Sequence, residues 1–142
     1  MAKFLSGKGQ WFVMAVLTVV WTGAARAQEF NLKLSGAQEV PPVTTSASGT
    51  ARVTVSSDGT LSANVTTQGF VPTASHIHMA PTGANGPVVV PFSKTGENSF
   101  ASAPGAKLTE AQLGALKNGA LYVNVHSAAN PGGEIRAQMV AP

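Results

Sequence analysis

Apolar and polar residues alternate along much of the chain after residue 28. Phe30, Leu32 and Leu34 take turns with Asn31 and Lys33, and Ala51, Val53 and Val55 with Arg52 and Thr54. Leu61, Ala63 and Val65 repeat the pattern, and Ser57-Asp58-Gly59 supplies a hairpin turn before them. A period of two sends every second side chain to one face, as in a half-buried antiparallel strand. Further strands are predicted over Ala74–Met79, Val88–Phe92, Asn98–Ala103, Ala120–His126 and Glu134–Val140. Gly, Pro, Ser and Asn turns separate these runs by roughly 10–15 residues, the spacing of an all-β domain. The fold class expected is an antiparallel β-sandwich or Greek-key barrel of about eight strands. One helix interrupts the series: Thr109 is a good N-cap, Gln112 completes a capping box, and Asn118-Gly119 supplies the stop. It is about two turns long, so it depends on docking Leu113 and Leu116, and it is expected to plug one end of the fold.

The first 27 residues follow a different pattern. Lys3 and Lys8 precede an apolar run from Trp11 to Trp21, and Ala25-Arg26-Ala27 has the small-x-small form of a cleavage site. These are the parts of a signal peptide over 1–27, leaving 28–142 as one secreted or periplasmic domain. The run is shorter than the ~20 apolar residues that span a bilayer, so no permanent membrane anchor is expected. Loss of the leader also changes the charge. The full chain carries +3, but beyond residue 27 six basic residues face six acids. No basic stripe remains to meet phosphates, which excludes nucleic acid as a partner class. There is no cysteine, so stability must come from packing or from a bound ion.

The chemistry is concentrated in three histidines, the only ones in the chain: His76 and His78 in Ser75-His76-Ile77-His78, and His126 in Asn124-Val125-His126. On a strand, His76 and His78 share a face about 6–7 Å apart. Ile77 is the apolar member of the first strand, and Leu121, Val123 and Val125 are the apolar set of the second. All three histidines therefore lie opposite the core-facing residues, with Tyr122 and Asn124. Three neutral imidazoles converging from neighbouring strands suit a transition metal. With no cysteine and no carboxylate close by in sequence, copper is favoured over a closed structural zinc site. Affinity should fall as pH drops through ~6.5, where imidazoles take up protons.

Other polar residues are weighed around that site. Tyr122 and Asn124 could orient a histidine through its second ring nitrogen. Glu134 and Arg136 flank Ile135 and share a face. They could stand near the histidines as a supporting carboxylate and an anion-guiding guanidinium, although a solvated strand face accounts for them as well. Met79 is out of phase with His78. Glu39 precedes Pro41-Pro42, which force an extended chain, and reads as a capping or edge-protecting residue. The Gly/Pro-rich loops Ala80–Pro87 and Ala128–Gly133 leave the two histidine strands and could wall a shared patch. No Ser-His-Asp or Cys-His arrangement and no phosphate-cradling glycine loop is present.

The ordered motifs resemble a known family. Leu34-Ser35-Gly36-Ala37-Gln38-Glu39-Val40-Pro41-Pro42, Ala74-Ser75-His76-Ile77-His78, Gly86-Pro87-Val88-Val89-Val90, Leu121-Tyr122-Val123-Asn124-Val125-His126 and Asn130-Pro131-Gly132-Gly133-Glu134-Ile135-Arg136 look like the CHRD domain. The likeness runs from about residue 30 to 140 and implies an exported β-sandwich module without an accepted enzymatic activity. A fainter similarity is to copper–zinc superoxide dismutase. It would map His76, His78 and His126 onto three copper ligands and Arg136 onto an anion-guiding arginine. The chain lacks that family's fourth copper histidine, bridging histidine, zinc ligands and cysteines, so a metal site survives the comparison better than the dismutase mechanism does. Three functions stay open: a copper-binding module, a dismutase-like redox enzyme, and a metal-free structural module contacting an extracellular or periplasmic protein.

Overall fold

The computed structural model describes residues 26–141; the leader expected over 1–27 falls almost wholly outside them. Eight antiparallel strands close into a barrel in the order β1-β2-β3-β6-β5-β4-β7-β8. They are β1 (Gln28–Ser35), β2 (Ser48–Val55), β3 (Leu61–Gln68), β4 (Pro72–Met79), β5 (Val88–Gly96), β6 (Ser99–Ser102), β7 (Leu121–Ser127) and β8 (Ile135–Gln138). Among the described residues the predicted all-β class, its eight strands and one short α-helix are present, with a 3-10 turn over Gly36–Gln38 besides. Where the sequence left sandwich and barrel open, the chain is a closed barrel. Closure comes from Ser35 pairing with Arg136 between β1 and β8, and it leaves no open sheet edge.

The alternation that predicts the strands also builds the core. Val53, Val65, Ile77, Val123, Val125 and Ile135 are fully buried inside the barrel, along with Phe30, Leu34 and Phe100. The β2–β3 hairpin turns where expected, with Ser56 N donating to Thr60 O and Gly59 N to Ser56 O, each at 2.9 Å. Helix α1 (Glu110–Lys117) starts on a complete capping box between Thr109 and Gln112. Leu116 is buried and Leu113 packs against the core cluster, so the helix is held by docking, as its length requires. No helix among the described residues is long and apolar enough to cross a membrane.

One sector of the barrel departs from the simple inside–outside rule. On β7 every residue from Leu121 to Val125 is buried, on both faces. The outward face of β4, β7 and β8 is covered by the chain from Gly36 to Thr45 and by the loops 80–87 and 128–133. Beneath that cover lies a second, polar layer.

Candidate metal centre

The register of β4 against β7 decides where the histidines go. Ala74 pairs with His126, His76 with Asn124, and His78 with Tyr122. His126 thus lies diagonally across from His76 on the same outward face, within reach of a ring. The structure brings the three together: one ring nitrogen from each lies within 4.8 Å of the others. Ring centroids are 4.9 Å apart for His76 and His126, 5.5 Å for His76 and His78, and 5.8 Å for His78 and His126. Met79 faces the other way and packs against the core.

Backbone carbonyls set the ring tautomers. His78 Nδ1 lies 2.9 Å from the carbonyl oxygen of Gly86, and His126 Nδ1 lies 2.8 Å from that of Pro131. A carbonyl can only accept, so both Nδ1 atoms carry protons and both Nε2 atoms present lone pairs. His126 Nε2 sits 3.0 Å from His76 Nδ1 and accepts a hydrogen bond from it. His78 Nε2 is buried without any hydrogen-bond partner. Leaving such an acceptor unmet costs about 1–3 kcal/mol. The two loops that sequence reading set down as possible walls thus supply the anchoring carbonyls. Tyr122 and Asn124, expected to hold a second ring nitrogen, do something else.

Tyr122 lies flat on His78, with ring centroids 5.0 Å apart and planes 10° off parallel. The Arg136 guanidinium covers its opposite face at 3.4 Å from the centroid. Tyr122 Oη accepts from Gly86 N at 3.2 Å. The solvated strand face that accounts for Glu134 and Arg136 in the sequence does not exist. Arg136 is 1% exposed and Glu134 6%. Arg136 donates to Asn85 Oδ1 and Gln138 Oε1. Stacked under this cover, it holds Tyr122 in place and has no open surface from which to guide an anion. Glu134 accepts from Thr45 Oγ1, Ser127 Oγ and Asn130 Nδ2, tying down the loop after β7. Those donors hold its carboxyl below the usual carboxylate range.

Sequence reading missed the role of Glu39. It is 5% exposed, deep in the polar layer, and its Oε1 accepts from Asn124 Nδ2 at 2.7 Å. One signal in the sequence points to it: Glu39 is the only charged residue between Lys33 and Arg52. An isolated acid in a neutral segment is worth attention, because solvated faces usually carry several charges. Asn124 Oδ1 is buried without a partner.

Burial governs the electrostatics. It pushes the Glu39 carboxyl up to about 7, with Arg136 and Asn124 acting in the opposite direction. It pushes His76 down to about 4, helped by the neighbouring His126 and His78. His78 is lowered as well, chiefly by burial, while its bond to Gly86 opposes the shift. Neutral imidazoles are the form in which histidine binds a metal. His76 and His78 therefore stay neutral below the ordinary histidine range.

No curated protein and no solved structure matches the chain. The CHRD domain family profile matches residues 30–139, which takes in all eight strands from within β1 onward, the helix and the three histidines. The match spans most of the chain, and the sequence belongs to the CHRD domain family.

Proposed function

We propose that this CHRD-domain protein is an exported module that binds one copper-like transition-metal ion through His76, His78 and His126. The observation that carries the reading is the orphaned Nε2 of His78, a buried acceptor facing two other imidazoles with nothing to accept from. A cation satisfies it, along with the lone pair of His126. The ligand atoms are then Nδ1 of His76 and Nε2 of His78 and His126. Two of the three ligands already donate their other nitrogen to a carbonyl, the arrangement that metal-bound imidazoles require. Neutral imidazole donors suit both copper and zinc, and for one set of nitrogen ligands divalent copper is held more tightly than zinc. The metal-free alternative accounts for His76 and His126, which hydrogen-bond to each other, but leaves His78 unexplained. Export rests on the leader pattern of residues 1–27.

Titration of purified protein with Cu(I), Cu(II) and Zn(II), read by calorimetry and elemental analysis, is expected to give one ion per chain with copper held more tightly. His78→Ala should weaken binding by more than about 100-fold, beyond the effect of losing a group that only supports a ligand. Equal, negligible binding by both proteins would end the metal reading.

A further inference from the structure

We infer that Glu39 and Asn85 form a clamp that sets the tautomer and aim of His78 and His126 without touching either ring. The inference rests on the metal-site reading for its purpose, but its geometry stands independently. The two anchoring carbonyls, Gly86 O and Pro131 O, belong to different loops; each loop is tied to its own strand, through Met79 N to Pro87 O on one side and Glu134 on the other, and no hydrogen bond among the described residues joins loop to loop. The segment Glu39–Val40 meets both.

On one side, Asn85 Nδ2 donates to the Val40 carbonyl at 2.6 Å, and Asn85 Oδ1 accepts from Arg136 Nη1 at 3.2 Å. This pins the residue immediately before Gly86. Gly86 itself has no room to move inward: a Cβ there would lie 1.8 Å from the Met79 carbonyl oxygen. On the other side, the Glu39 carboxylate sits against Gly133, where a Cβ would be 2.5 Å from Oε1 and 2.3 Å from Asn124 Nδ2. Gly133 N donates to Asn130 O at 3.0 Å, closing the turn that contains Pro131. A groove of about 550 Å³, lined by Glu39, Val40, Asn85 and Asn130–Gly133, marks the line where the two loops and the segment meet.

The chemical consequence is specific. A histidine whose Nδ1 proton is held by a carbonyl must present Nε2 as a lone pair. If either loop drifts, its ring can take the other tautomer and present a proton where the ligand atom should be. Glu39 and Asn85 are therefore positioning residues.

The test reads tautomers first and metal second. In the metal-free parent, nitrogen-15 NMR of the histidine rings should show protonated Nδ1 and unprotonated Nε2 at His78 and His126. Asn85→Ala is expected to convert His78 to a mixture of tautomers, and Glu39→Ala to do so for His126. Glu39→Gln, which can still accept from Asn124, should retain the parent pattern. Copper affinity, measured by competition with a chelator, should fall 10–100-fold in the two alanine variants. The thermal midpoint of Asn85→Ala should fall modestly, since Val40 O and the buried Arg136 each lose a partner, and the tautomers are read well below it. Unchanged tautomers in both alanine variants would overturn the clamp. Altered tautomers in a protein that binds no copper would uphold the clamp and remove the metal reading, so the two fail separately.

Discussion

Gly133 holds the polar layer together by having no side chain. Its φ is +142°, a backbone region that side-chain-bearing residues rarely adopt, and Glu39 and Asn124 press against it. A methyl group at that point meets both steric and backbone obstacles. Gly133→Ala is expected to destabilise the protein by roughly 2–3 kcal/mol, the range for overpacking plus strain. Urea denaturation checks it; a midpoint within error of the parent would mean that the loop repacks freely. The same crowding explains why residue-by-residue reading went only part of the way. The phase of His76, His78 and His126 is local information, carried by the apolar residues beside them, and could be read from the chain. Whether Arg136 or Glu39 is buried depends on what lies over them. That cover comes from segments tens of residues away, so no local pattern encodes it.

At the scale of elements, helix α1 and the β2–β3 hairpin are the most legible pieces because each is closed by contacts within a few residues. The Thr109 hydroxyl accepts from Gln112 N at 3.2 Å, and the Gln112 side chain accepts from Thr109 N at 2.9 Å. Thr109→Ala should cost about 1 kcal/mol, as loss of an N-cap usually does, and leave the histidine cluster intact. A thermal melt shows the first effect, and an unchanged copper titration the second; a loss of copper binding would show that the helix reaches the site. Strand bounds are less legible. β1, β2 and β3 extend beyond the alternating cores that predict them, since neighbouring strands go on pairing through polar residues. β8 stops at Gln138 rather than Val140, and Val140 is exposed. The loops were the hardest to read. Gly and Pro announce a turn, but they do not say that Gly86 O and Pro131 O will each meet an imidazole.

For the whole molecule, pH dependence sums opposing contributions from the polar layer. The His76 pKa falls from the ordinary 6.5 to about 4 in the folded state, and that of His78 falls too. The unfolded chain takes up these protons below 6.5 while the barrel resists, so stability drops as pH falls from 6.5 towards 4. Glu39 acts the other way. Its carboxyl loses its proton near 4.5 when unfolded and near 7 when folded, so stability drops as pH rises through that window. The expected result is a shallow maximum between the two. Glu39→Gln should flatten the decline towards pH 7, and His76→Asn the decline towards pH 4. Denaturation curves collected from pH 4 to 8 test both; parallel profiles for parent and variants would show that neither group titrates differently on folding.

What the chain determined by itself is the class of fold and the facing of its reactive side chains. Alternation with period two, a capped helix and turn residues are set by neighbours a few positions apart, and the physics of each is local. Only the tertiary structure decided that β4 and β7 are adjacent in a register placing His126 diagonal to His76. It also decided that the outward face of that sector is roofed. Strand pairing and burial depend on which distant segments come to lie side by side, and the free energy of a buried charge or an unpaired imidazole nitrogen is set there.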